Sequence, residues 1–221
     1  MKRYFPPKPL LITIDQPLFS ELEMRKDVVA EPKYNGDRLV LMRFSYTGLF
    51  PTAVRNQYEF WNRYGEQLRK YSPSNELIKQ LNGVAWNGEC TLDGELLHFK
   101  TKKVKNCIIL FDDFIWNGEP KLNSSFDERR SLLESKVAIP EDCIANPLNG
   151  LFKNDTVRLA PQVRGGRKDC FRNFYEMLIK HDEIEGIVIK SLKARVILGR
   201  TESPVVPYMW KVRKPGPTYR F

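Results

Sequence analysis

Histidine and cysteine are scarce in this chain, and their scarcity closes off several chemistries. His98 and His181 are the only histidines among 221 residues, which argues against a mechanism needing several histidine ligands. Cys90, Cys107, Cys143 and Cys170 are widely spaced, with no Cys-x-x-Cys pair and no histidine at ligand spacing. That argues against structural zinc and against a disulfide framework. Free, buried thiols in a reducing cytosol are the plain expectation. Long apolar runs are missing too. The chain opens Met1-Lys2-Arg3, but Pro6, Pro7 and Pro9 precede an apolar run at 10–14 that Asp15 ends. This is too short and broken for a signal peptide or a membrane span. No internal repeat, low-complexity tract or linker is visible.

Positive charge is abundant. Thirty-six Lys and Arg against 27 Asp and Glu leave a net charge of +9. Such a balance suits a polyanionic partner, most simply nucleic acid, or else a solvated basic surface. Aromatics make up 12% of the chain, which favours a packed core over disorder. The length suits one sizeable core or one large α/β domain.

The patterning predicts an extended arm over 1–15 and a short helix over 17–26 using Leu18, Leu22 and Met24. Strands follow at 28–31, 39–44 and 58–61, with a turn at Asn35-Gly36. Ser74 is placed to cap a helix over 75–81. Strands return at 84–92, 95–99 and 107–114, with the lysine-rich loop 100–105 before the last. Asp93-Gly94 reads as a two-residue hairpin turn. Residues 126–137 read as an amphipathic helix with Phe126, Arg130, Leu133 and Val137 on one side, and 138–165 as irregular. Residues 168–180 are a helix, because Phe171, Phe174, Tyr175 and Leu178 repeat at helical spacing. Strands end the chain at 186–190 and 208–212. The sum is an α+β domain on antiparallel sheets with flanking helices.

Lys33-Tyr34-Asn35-Gly36-Asp37-Arg38 is the most informative stretch. Read alone it is a surface hairpin with a solvated lysine, since Asn-Gly suits a type I′ turn. Downstream come Phe60-Trp61-Asn62-Arg63-Tyr64-Gly65-Glu66, then Gly88-Glu89 and Gly94-Glu95, then Ile108-Ile109-Leu110-Phe111-Asp112. Glu185-Gly186-Ile187-Val188-Ile189-Lys190 and Trp210-Lys211-Val212-Arg213 complete the series. In order and spacing these resemble the motifs of the covalent lysyl-nucleotidyltransferases, the superfamily of ATP-dependent polynucleotide ligases and mRNA capping enzymes. The resemblance covers residues 29–214. Asn35 stands where the family's first motif has aspartate, and Arg213 where its fifth has a second lysine.

The resemblance implies an ATP-grasp-like adenylation domain spanning residues 1–221, with no room for the family's usual OB-fold domain. It implies that Lys33 attacks the α-phosphorus of ATP and carries AMP as a phosphoramide. Lys211 and Arg213 would neutralise charge on that phosphate. Glu31, two residues before Lys33 and on the same face of a strand, would contact the adenine amino group. Phe111 would stack on the base, although a mid-strand aromatic is otherwise core. Arg38 and Arg63 would contact ribose and donor phosphate. Glu185 would bind Mg²⁺ or Mn²⁺. Lys190, five residues later, is expected on the other side of the strand or near its end. The third motif fits both Glu89 and Glu95. With a hairpin at Asp93-Gly94 the two point to opposite faces, and Glu89 is preferred for the ribose hydroxyl. Trp210 is read as packing.

Function follows as an expectation: an ATP-dependent ligase joining 5′-phosphate to 3′-hydroxyl ends, DNA favoured over RNA. The loop at 100–105 would offer phosphate contacts. A capping-type guanylyltransferase is disfavoured by Glu31 and by the missing OB-fold. A non-catalytic nucleic-acid-binding module is disfavoured by Lys33, Glu185 and Lys211 occurring together. The expected protein is a cytoplasmic monomer (in a host's cytoplasm, if viral) with no membrane partner.

Overall fold

The computed structural model describes residues 4–47, 54–86, 88–137 and 153–215. Two twisted sheets stand against each other and hold a cavity between them. The first has five strands in the order β1-β11-β10-β2-β9: β1 Lys8–Leu11, β2 Val28–Tyr34, β9 Val163–Arg164, β10 Ile184–Ser191 and β11 Val205–Arg213. All its pairings are antiparallel except β1 with β11. The second runs β4-β3-β5-β6-β7, with β8 added parallel to β6. Its strands are β3 Asp37–Thr47, β4 Val54–Trp61, β5 Cys90–Leu97, β6 Cys107–Trp116, β7 Glu119–Pro120 and β8 Thr156–Leu159.

Helices α1 Pro17–Met24 and α4 Cys170–Leu178 pack on the first sheet, and α2 Asn75–Gly83 and α3 Phe126–Glu134 on the second. Each has a local cause. Ser74 caps α2 by accepting from the Leu77 amide, and Ser125 and Glu128 form a capping box on α3. No side chain of its own caps α4. Instead Glu23 of α1, 3% exposed, accepts from the Phe171 and Arg172 amides at 2.8 and 2.7 Å. A carboxylate suits this end, where orphan N–H groups and the helix dipole both favour negative charge. The helical spacing read in 168–180 holds: Phe171, Phe174, Tyr175 and Leu178 are all buried. In α1 the buried face is Phe19, Leu22 and Glu23, while Leu18 and Met24 point outward. Trp210 packs in the core beside β10 as expected.

Three expectations fail for identifiable reasons. Asn35-Gly36 closes no hairpin. β2 pairs with β10 and β9, β3 with β4 and β5, so the dipeptide carries the chain from one sheet to the other. Gly36 is needed for space, since a Cβ there would lie 2.7 Å from the Leu96 carbonyl oxygen. Asp93-Gly94 is likewise no turn, but the middle of the continuous strand β5. A Cβ on Gly94 would meet the Ile109 carbonyl oxygen at 2.4 Å, and the register with β6 slips beside it, so this glycine serves a bulge. Finally, 138–165 is not wholly irregular. Residues 138–152 and Cys143 lie outside the described residues, but β8 and β9 are short strands hidden by Pro161 and the flanking polar residues.

Candidate active site

The first sheet builds one wall from register. Lys33 stands beside Gly186, and Gly186 beside Arg213; Glu31 stands beside Val188, and Val188 beside Lys211. Cross-strand partners share a face, so Glu31, Lys33, Lys211 and Arg213 face the cavity together. Lys190, partnered by Val29 and Met209, joins them. Simple alternation would send Glu185 to the opposite face. A register slip between Ile184 and Gly186 restores it, and the Lys33 ammonium donates to Glu185 Oε2. Arg213 Nε lies 3.9 Å from the same oxygen. Gly186 makes the slip possible: its φ is +146°, and a Cβ would sit 1.9 Å from the Val212 carbonyl oxygen. Glu185 and Lys190 therefore reach one cavity, correcting the expectation that Lys190 faces away.

The second sheet supplies the other wall. Arg38 on β3 and Glu95 on β5 are register partners. The Arg38 guanidinium grips Asp93 through two bonds, Nε to Oδ1 at 2.6 Å and Nη2 to Oδ2. Burial pulls the guanidinium's pKa down, but the Asp93 carboxylate outweighs it and holds it above its ordinary value. Arg38 also lies over the Phe111 ring at 5.4 Å, and Lys190 Nζ over it at 5.3 Å. Tyr34 stacks on Phe111 with centroids 6.1 Å apart. Burial pushes the Glu95 carboxyl up to about 7, restrained by Arg38, Lys33 and Lys100.

Glu31 is the most constrained carboxylate of the wall. Lys190 Nζ lies 2.6 Å from Oε2, Gln162 Nε2 donates to Oε1 at 2.7 Å, and Arg130 stands 3.7 Å away. Lys211 feels the opposite environment. Burial first, then Arg213, Lys33, Arg63 and Lys8, lower its pKa below the usual lysine value. Arg63 sits on a tight turn held by its neighbour: Asn62 Oδ1 accepts from the Tyr64 and Glu66 amides at 2.8 and 3.0 Å. The exposed Arg63 guanidinium rests on Tyr64 at the cavity rim.

Ten of the eleven residues singled out from sequence thus line one cavity of about 460 Å³, within the size range of small-molecule sites. Glu89 is the exception. It is exposed and precedes β5, its carbonyl accepting from the Gly118 amide at 2.8 Å. The preference for Glu89 over Glu95 rested on the hairpin that does not form, and on the continuous strand it is Glu95 that faces Arg38. Asn87, which precedes Gly88-Glu89 in the sequence, lies outside the described residues. Sequence reasoning missed Asp93, mistaken for a turn residue, and Gln162, which carried no local signal. It also missed Lys8, whose parallel pairing brings the N-terminal arm to the rim.

A family model, the ATP dependent DNA ligase domain, matches residues 18–203. This chain belongs to that family. Among curated proteins it is similar to DNA ligase 1 of Methanosarcina mazei, 26% identical over 215 residues, covering 86% of this chain and 34% of that protein. It is also similar to DNA ligase 4 of Eremothecium gossypii, 24% identical, covering 81% of this chain and 19% of that protein. The chain therefore spans only a part of the length of these relatives. Its fold is that of solved ligase domains. The ligase domain of M. tuberculosis LigD superposes with a TM-score of 0.59 at 16% identity, over 94% of this chain and 59% of that one. The ATP-dependent DNA ligase of bacteriophage T7, in complex with ATP, gives 0.55 at 12% identity, over 95% and 68%. Within this ligase-domain fold the cavity lies between the two sheets. Among the described residues no helix is long and apolar enough to cross a membrane.

Proposed function

We propose that this chain is the adenylating domain of an ATP-dependent polynucleotide ligase, acting on DNA in preference to RNA, with Lys33 as the nucleophile. The observation that carries the reading is the seating of Lys33 against Glu185, with Lys211 on the same face and an aromatic, cation-flanked recess around Phe111 beside them. The family and the names of its relatives support DNA. Residues 1–221 are read as one nucleotidyltransferase domain.

The Lys33 amine would attack the α-phosphorus of ATP. The new N–P bond forms as the bond from that phosphorus to the bridging oxygen breaks, and pyrophosphate leaves with the electron pair. Lys211 shares the face of the sheet that carries Lys33, and its charge would meet the α-phosphate oxygens during the attack. A 5′-phosphate oxygen would then take the adenylyl group, returning the amine. A 3′-hydroxyl would finally displace AMP. Arg38, Arg63, Lys211 and Arg213 would hold phosphate and ribose oxygens, for which guanidinium forks give paired hydrogen bonds. Glu31 would meet the base edge and Phe111 its face, with Glu95 taking the ribose role first given to Glu89. Lys190, pairing with Glu31 and lying over Phe111, would set that end of the recess.

Mg²⁺ or Mn²⁺ fits the donor set. Glu185 and Glu95 offer hard oxygens that would hold an ion taking its remaining ligands from phosphate oxygens and water. Bound there, it would neutralise charge on the phosphates.

Intact-protein mass spectrometry after incubation with Mg²⁺ and ATP or GTP tests the reading. An added AMP from ATP alone, absent in Lys33→Ala and removed by pyrophosphate, is expected. An added GMP would replace it with capping chemistry. No adduct after prior stripping with pyrophosphate would overturn it. Nicked duplexes of DNA or RNA then report the preferred substrate.

A further inference from the structure

A second depression, open and about 740 Å³ in volume, lies behind the nucleophile's turn. Lys103, Lys153 and Lys180 line it, from the β5–β6 loop, the approach to β8 and the end of α4. All three are exposed, and none forms an ion pair among the described residues. Asp182 and Glu183 stand on one side of it. Glu183 turns its carbonyl to the Asn35 amide at 2.8 Å.

That bond joins the lining of the depression to the 34–37 segment, whose Tyr34, Gly36 and Asp37 line the active-site cavity. Lys100 fastens it from the same loop that carries Lys103, donating to the Gly36 carbonyl at 2.6 Å and lying 3.0 Å from Asp37. The loop is braced internally. Lys105 Nζ donates to the His98 and Thr101 carbonyls, each at 2.6 Å, its amide donates to Asn154 Oδ1 at 2.8 Å, and Thr101 closes on Val104. Lys105 thus spends its charge inside the loop, while Lys102 and Lys103 are presented outward on a fixed scaffold. Three exposed lysines from three separate elements, unpaired among the described residues, line one depression and together suit a chain of regularly spaced negative charges. A duplex strand offers one such charge about every 3.4 Å of its axis.

We propose that Lys103, Lys153 and Lys180 form a phosphate track that holds the polynucleotide strand leading to Lys33. The proposal rests on the ligase reading for its partner, and names where on this chain that partner lies. The contacts are to backbone phosphates, so they position the end without reading its sequence.

The test uses the full chain carrying Lys103→Gln, Lys153→Gln and Lys180→Gln together. A control carries Lys26→Gln, Lys70→Gln and Lys79→Gln, three exposed lysines outside both cavities, with the same change in net charge. Binding to a nicked DNA duplex is followed by fluorescence anisotropy between about 50 and 200 mM salt, over which binding through several phosphate contacts loses decades of affinity, and adenylation by intact mass. The track variant is expected to form its adduct normally. Its plot of log affinity against log salt should flatten by about 2.7, from about 0.9 per lost phosphate contact, with the control unchanged. Equal slopes in wild type and track variant, or equal flattening in track and control variants, would overturn the track. A wild type that forms no adduct, yet whose DNA binding depends on these lysines, would sink the ligase reading and leave the track standing.

Discussion

Glu95 carries a cost that Glu95→Gln should remove. Its carboxyl titrates near 7 in the folded chain, against an ordinary 4.5, mainly because burial disfavours the anion. Below the ordinary value both states are protonated and the residue is neutral to stability. Between the two values the unfolded chain releases the proton while the folded chain keeps it, so folding weakens as pH rises. The loss is about 1.4 kcal/mol per pH unit and reaches at most about 3 kcal/mol above pH 7. Gln has the same shape and no charge. Glu95→Gln is therefore expected to gain on wild type from pH 4.5 upward and to level off above pH 7. Tm should rise by several degrees at pH 8, at roughly 2–4 °C per kcal/mol for a chain of this size. Adduct formation should fall at the same time, because the carboxylate facing Arg38 and Lys33 is lost. Chemical denaturation of both proteins at half-unit steps from pH 4.5 to 8.5 measures the gain. A difference that stays constant across that range would refute the reasoning. Glu89→Ala, outside the cavity, should leave adduct formation intact.

Gly186→Ala should cost about 3 kcal/mol or more, since it puts a Cβ into the Val212 carbonyl at a backbone angle that L side chains avoid; the melting temperature should drop and the Lys33 adduct should be lost with the bulge. Asp93→Ala leaves the half-buried Arg38 guanidinium without the carboxylate it grips, and a loss of about 1–3 kcal/mol is expected by denaturant titration. Lys211→Gln should fold normally but slow adduct formation by about 10²–10³-fold in single-turnover assays, the usual range for removing one positioned donor to developing charge. Asp113→Asn should stabilise the chain above pH 7 without touching adduct formation: burial pushes the Asp113 carboxyl to about 7, and neither of its oxygens has a hydrogen-bond partner among the described residues.

Much of the site could be read along the chain because its chemistry is carried by short strand segments. Glu31 and Lys33 share a face by simple alternation, and Lys211 and Arg213 do the same. Aromatic spacing predicted α4, and Ser74 predicted the start of α2. The errors cluster at glycines. Asn35-Gly36 and Asp93-Gly94 have hairpin composition, but each glycine is there because neighbouring backbone or side chains leave no room for a Cβ. Local sequence cannot distinguish a turn from a close approach, since the crowding atoms come from residues far away in the chain.

The same limit decided which glutamate enters the cavity. Sequence by itself determined the residue types, their order, and so the α+β class and the lysine-centred chemistry to be tested. Tertiary structure alone decided that Glu95 rather than Glu89 faces Arg38, and that Glu185 and Lys190 share one cavity despite odd spacing. It alone joined Gln162 to Glu31 and brought Lys8 to the rim. In each case the deciding quantity is strand register, which a single slipped residue inverts and which only pairing with distant strands can set.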